Sequence, residues 1–138
     1  MSRYLIDSHI LCFIATDRDE LTTEVKDILE DYGNQMYIPS KCVEELIYHQ
    51  QSGKFNIEEW KKAESVIDYI KDAGIGIKYV AEEHLRTLAN LPLFKDHKDA
   101  TDRIAIAQAI TEKIPLISSD RKFHLYKKHG LNLLFNER

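Results

Sequence analysis

An α/β fold, with a central and mainly parallel sheet covered by helices on both faces, is what this sequence predicts, on three observations. Short apolar runs rich in strand formers alternate with longer stretches of helical spacing from end to end. A late helix is apolar nearly all round, the pattern of an element buried at a domain's centre. Two of the apolar runs, ending at Asp7 and Asp120, stop on acids where such strands should finish.

The elements follow in order. Residues 3–7, RYLID, form a first strand, and HILCFIAT continues as one or two helical turns. In DELTTEVKDILEDYG, Leu21, Val25, Ile28, Leu29 and Tyr32 keep helical spacing, with Gly33 as the stop. Residues 35–38 make a second strand; Pro39 and Ser40 then open a helix through KCVEELIYHQQ, with Ser40 as its N-cap. SGKFN is a loop. Ile57, Trp60, Ala63, Ile67 and Ile70 predict one helix over 57–73, closed by Gly74. IGIKYV alternates like a strand, and AEEHLRTLANL returns to helix before Pro92. Residues 100–113 are the buried central helix, IPLISSD a strand ending at Asp120, RKFHLYKKHG a short helix and LNLLF the last strand. Strands alternating with helices in this way imply a three-layer α/β/α sandwich.

The 138 residues suit one domain, 1–138, without repeats, low-complexity tracts or linkers. Apolar residues at 43% and charged ones at 30% fit a soluble globular chain rather than a disordered or membrane one. No apolar run approaches the roughly 18 residues of a membrane span. The N-terminal run contains Asp7 and His9 and lacks a small-residue cleavage site, so it reads as a strand entering a helix, not a secretion signal. Cys12 and Cys42 read as buried, reduced thiols of a cytoplasmic protein. A net charge of −4 argues against a bulk basic surface that grips nucleic acid by phosphate neutralisation. It does not exclude a nuclease, because carboxylates gathered to hold cations are themselves a concentrated negative charge. Phosphate-binding loops, dinucleotide fingerprints, nucleophile elbows and Cys-His signatures are missing, and 5 glycines leave little for a nucleotide cradle.

In an open parallel sheet the ligand crevice lies outside the carboxyl ends of the strands. Asp7 and Asp120 share that rim if their strands are neighbours, and Asp102, in the first turn of the central helix, reaches toward it. Glu45, one turn into its helix, is a fourth candidate, though spacing alone does not choose between Glu44 and Glu45. Hard oxygen ligands repel one another without a cation and suit magnesium or manganese, so a divalent metal site is expected. Each acid also has an ordinary reading: Asp99 as N-cap, Asp102 at the positive end of a helix dipole, Asp7 and Asp120 as turn residues. The signal is the cluster, not any member. Lys98, Arg103, Arg121 and Lys122 flank the acids, as phosphate contacts or as a solvated face. The six histidines lack metal-binding spacing; His97, near the acids, is placed to touch substrate or, as the leading expectation, is a solvated loop residue.

YLIDSH, PSKCVEELI, LPLFKDHKDATDRIAIAQAI and LISSDRKF, in that order over essentially the whole chain, resemble the PIN domain, and more narrowly toxins of the virulence-associated protein C type. The specific part is D-R-x-x-I-A-x-A followed by a strand ending S-x-D. The resemblance implies a metal-dependent ribonuclease whose catalytic, metal-holding acids are Asp7, Glu45, Asp102 and Asp120, with Mg2+ or Mn2+ as cofactor. Leu46 after the glutamate favours Glu45, although Glu44 stands where the family usually has a bulky apolar residue. Ser118 falls where a hydroxyl would orient water, and Asp99 matches an acid that supports the helix start or an outer metal shell. The same resemblance implies an RNA substrate, a small antitoxin protein covering the acidic groove, a homodimer and a prokaryotic cytoplasm. Two rivals stand beside it. One is a PIN-like module that binds RNA or protein without cutting. The other is an aspartate-phosphorylating receiver or phosphatase, which wants paired acids after the first strand, where Asp7 stands without a D-x-D.

Overall fold

A computed structural model describes residues 2–138. The strands β1 (Ser2–Ile6), β2 (Asn34–Pro39), β3 (Gly76–Lys78), β4 (Leu116–Ser118) and β5 (Leu133–Phe135) form one sheet in the order β3-β2-β1-β4-β5. Every pairing is parallel. Parallel neighbours need crossovers, and the α-helices α1 (Ser8–Thr16), α2 (Thr23–Glu30), α3 (Ser40–Ser52), α4 (Ser65–Asp72), α5 (Glu82–Ala89) and α6 (Ala100–Glu112) lie on those connections.

Successive side chains of a strand face opposite sides of the sheet, and β1 and β4 thereby serve two cores. Leu5 and Leu116 pack with Ile106, Ala109, Phe123 and Tyr126 on one side. Ile6 and Ile117 pack with Ile10, Val25, Leu46 and Ile70 on the other. These two cores make the three layers expected from the alternation of elements. Helix α6 touches α3, α5 and β2, which is why residues 104–109 are all buried and show no polar stripe.

Two helical expectations are corrected. The single helix over 57–73 is instead a 3-10 turn, Glu58–Trp60, followed after a bend by α4. Ile57, Trp60 and Ala63 are three apart, the period of a 3-10 helix, and i→i+3 bonds such as Trp60 N–H to Ile57 O (3.0 Å) close the turn that buries Trp60. Apolar spacing of three fits either geometry, so the pattern reads as one helix. The expected short helix after Asp120 is present, as a 3-10 helix, Arg121–His129, that buries Phe123 and Tyr126, again three apart. Helix α3 begins at Ser40 itself, with Pro39 in the cap position and no side-chain cap bond.

Winding reverses between β1 and β4, since β2 and β3 lie to one side and β5 to the other. That switch point is where an open parallel sheet leaves a crevice beyond its carboxyl ends. The register pairs Ile6 with Ile117, so Asp7 emerges level with Ser118. Among the described residues no helix is long and apolar enough to cross a membrane.

Candidate metal centre

Asp7 follows β1 and caps α1, its Oδ1 accepting the Ile10 N–H at 3.0 Å, and it is only 5% exposed. Asp120 follows β4 and caps the 3-10 helix, its Oδ1 accepting the Lys122 N–H at 2.9 Å. Between them stands Ser118, fully buried. Its hydroxyl donates to the Asp7 carboxyl and accepts the Asp120 N–H at 3.1 Å, which ties the two strand-end acids together.

Helix α6 separates two roles that its sequence leaves mixed. Asp99 is the cap, its Oδ1 accepting the Asp102 N–H at 2.8 Å. The Asp102 carboxyl is thereby free of capping and meets His97, with Nε2 3.2 Å from Oδ2. On α3, Glu44 is exposed and paired with Lys41 at 3.4 Å, whereas Glu45 lines a cavity of about 210 Å³ with Ser8, His49, Lys54, Asp99 and Asp102. The ambiguity left by spacing is resolved in geometry: Glu45 faces the acids and Glu44 faces solvent.

The acids act on one another electrostatically. Burial pushes the Asp102 carboxyl up to about 8, and Asp99, Asp7, Asp120 and Glu45 push it the same way. Asp7 is also raised, by burial first and by Asp120, against the Ser118 hydroxyl, the Ile10 N–H and His9. Burial lifts the Cys42 thiol, helped by Asp7, Glu45 and Asp102, and lifts Cys12 to about 12, so both thiols stay protonated and unreactive at neutral pH. His97, Asp102 and Asp120 each offer a ligand atom within 4.8 Å of the others. Oxygen donors under this mutual repulsion fit a divalent cation, which relieves the cost of ionising them together.

His97 corrects the expectation of a solvated loop histidine: it is 3% exposed, packed edge-on to Phe123 and Tyr126, and bonded at both ring nitrogens. The loop containing it folds back through a bridge between Phe94 and His97, which carries the ring under α6. Arg103 also departs from its expected place as a phosphate contact. Its Nη2 donates to the carbonyls of Pro92 (3.2 Å) and Leu91 (3.4 Å), which points the guanidinium into the protein. Lys98, Arg121 and Lys122 are exposed; the Arg121 guanidinium lies 5.5 Å from the Phe135 ring centre and 3.9 Å from Glu137.

A second group, Glu83, His84 and Glu112, looks like a metal site by composition alone. His84 Nδ1 accepts the Ala81 N–H at 2.9 Å, so the proton sits on Nε2 and is donated to Glu112 at 2.9 Å. With Lys78 Nζ 3.4 Å from the same carboxylate, this is a half-buried knot joining α5, α6 and β3, and it holds Glu112 below the usual carboxylate range.

Sequence reasoning missed three residues, His97 in its buried role, Tyr126 and Asn136. Tyr126 and Asn136 carry no local signal because their partners are remote in the chain, and His97 is buried against Tyr126, 29 residues away.

Fold and site together define a parallel α/β sandwich with carboxylates crowded at its switch point. The chain belongs to the PIN domain family, whose profile matches residues 4–129. Similar solved structures include VapBC2 from Rickettsia felis bound to a DNA fragment from its promoter, with a TM-score of 0.73 and 17% identity over 98% of this chain and 99% of that one. DNA-bound VapBC from Salmonella typhimurium gives 0.72 and 14% over 96% and 97%. VapBC-1 from nontypeable Haemophilus influenzae gives 0.69 and 17% over 96% and 97%. No curated protein matches the sequence.

Proposed function

We propose that this protein is a divalent-metal-dependent endoribonuclease and the toxin of a toxin–antitoxin pair. The observation that carries the reading is the convergence of Asp7, Glu45, Asp102 and Asp120, from four separate segments, on the switch point of a PIN fold. The VapBC complexes among its structural neighbours support the toxin assignment. The partners that follow are an antitoxin segment over the acidic groove and a second copy of the chain.

Asp7, Asp102 and Asp120 would hold Mg2+ or Mn2+, with Glu45 as a further ligand or a positioner of water. A cation held by these residues would supply charge neutralisation at the phosphate and a lowered pKa for its bound water. The chain's own part is positional. Ser118 holds Asp7 and the start of the Asp120 turn in one register. Asp99 fixes the first turn of α6 and so the Asp102 backbone. Lys98 and Arg121, both exposed, are the side chains we assign to contact with the RNA backbone.

Expression in bacteria without antitoxin, followed by sequencing of new 5′-phosphate RNA ends, tests the reading. Discrete ends made by wild type and lost in Asp102→Asn are expected; identical profiles from two folded proteins would point to a PIN-like binding module instead. The same assay checks the choice on α3. Glu45→Gln should cut the yield of ends at least tenfold, about 1.4 kcal/mol of barrier, while Glu44→Gln should leave it unchanged.

A further inference from the structure

We propose that Tyr126 and His97 form a directed chain of hydrogen bonds that positions the Asp102 carboxylate for cation binding, so that His97 is a positioning residue. The inference rests on the metal-centre reading above and adds to it two side chains outside the acid set.

Its basis is a buried imidazole satisfied at both nitrogens. His97 Nδ1 lies 2.7 Å from the Tyr126 hydroxyl, and Nε2 lies 3.2 Å from Asp102 Oδ2. The direction of these bonds follows from Asp102. A carboxylate that holds a cation is ionised and only accepts, so His97 Nε2 carries the hydrogen and donates it. A neutral imidazole with its hydrogen on Nε2 accepts at Nδ1, and the Tyr126 hydroxyl is the donor there.

Two consequences follow for the site. Oδ2 of Asp102 accepts from His97, which leaves Oδ1 as the oxygen with both lone pairs open to a cation. The side-chain torsion of Asp102 is also fixed, since the ring that holds it is wedged between Phe123 and Tyr126 with centroids 5.6 and 5.3 Å away. Partners that hydrogen-bond a metal-binding carboxylate from outside commonly set metal affinity by about 10–100-fold. Tyr126 comes from the 3-10 helix that Asp120 caps, so the chain also couples the placement of Asp102 to the segment that carries Asp120.

The test is the dissociation constant for Mn2+ of the purified full chain, measured by titration calorimetry, with melting in EDTA as the check on folding. Tyr126→Phe removes only the hydroxyl and should weaken Mn2+ binding about tenfold. His97→Leu should do at least the same. His97→Gln, whose side-chain amide reaches the Nε2 position and still donates to Asp102, should recover most of the affinity. Folded Tyr126→Phe with wild-type affinity would overturn the proposal. So would equal losses in His97→Gln and His97→Leu, which would make His97 a direct imidazole ligand or a packing residue. Should His97→Leu fail to fold, Tyr126→Phe and His97→Gln decide the matter. Wild type that binds no Mn2+ would remove the metal-centre reading itself, and this inference with it.

Discussion

Asp102→Asn will move activity and stability in opposite directions: RNA cleavage should fall roughly a thousandfold while the metal-free protein melts at a higher temperature near pH 7. The loss of activity follows because a catalytic cation is worth several kcal/mol of transition-state stabilisation, and each 1.36 kcal/mol is tenfold in rate. The gain in stability follows from the sign of the Asp102 shift. Its carboxyl is raised from 3.8 to about 8 in the folded protein, chiefly by burial and then by Asp99, Asp7, Asp120 and Glu45. Between these two values the folded state binds more protons than the unfolded state, so stability falls as pH rises through the window from about 4 to 8. Asp7 is raised as well and tilts the curve the same way. With the Asp102 side chain 28% exposed, partial access of water leaves a strain of order 2 kcal/mol at the top of that window.

Melting in EDTA across pH 4 to 8 measures this directly. Wild type should lose stability toward pH 8, and Asp102→Asn should flatten much of the slope. Adding Mn2+ to wild type should reverse it, because a ligand that binds only the folded state at 100 times its Kd adds about 2.7 kcal/mol. A flat wild-type profile in EDTA, or one unmoved by Mn2+, would mean that the acids are not under the mutual repulsion on which the metal reading depends.

The five strands, and Asp7, Asp102 and Asp120 as candidate acids, could be picked out because they leave local marks, an apolar run that stops on an acid and a helix whose first turn carries one. In the sequence only the family resemblance favours Glu45 over Glu44. What the sequence could not carry was adjacency. Asp7 and Asp120 share a rim only because β1 pairs with β4, residues more than a hundred apart in the chain, and nothing in either strand announces its neighbour. Capping and membership of the acid cluster are not alternatives at Asp7 and Asp120, where one oxygen caps while the carboxyl still joins the cluster. At α6 the two roles fall to different residues, Asp99 and Asp102. His97 was misread for the same reason that Arg103 was. A polar residue in a loop or at a helix start reads as solvated unless its partner is known, and the partners here are Tyr126 and two loop carbonyls. Trp60 marks the remaining limit, since a spacing of three fits an α-helix and a 3-10 turn alike.

Asn136→Ala should be among the most destabilising single changes outside the apolar cores, although the residue stands near the end of the chain and shows no motif. Its side chain is fully buried and uses both ends of the amide. Oδ1 accepts the Thr22 N–H at 2.7 Å, and Nδ2 donates to Glu20 O at 2.9 Å and to Ser119 Oγ at 2.8 Å. Its backbone N–H adds a fourth bond, to Ser118 O at 2.8 Å. The alanine variant keeps that last bond and orphans the rest, including the backbone N–H of the residue that caps α2. A buried polar group left without a partner costs about 1–3 kcal/mol, and with two backbone groups affected the expected loss is about 3 kcal/mol. For a domain of this size that corresponds to a fall in melting temperature of roughly 10 °C. A fall of under about 2 °C would show that water replaces the amide and that the clamp is not structural. The clamp joins the segment before α2 to Ser118 and Ser119, the two residues that precede Asp120. The end of the chain thereby holds in place the turn that delivers one of the four acids, although it contributes none itself.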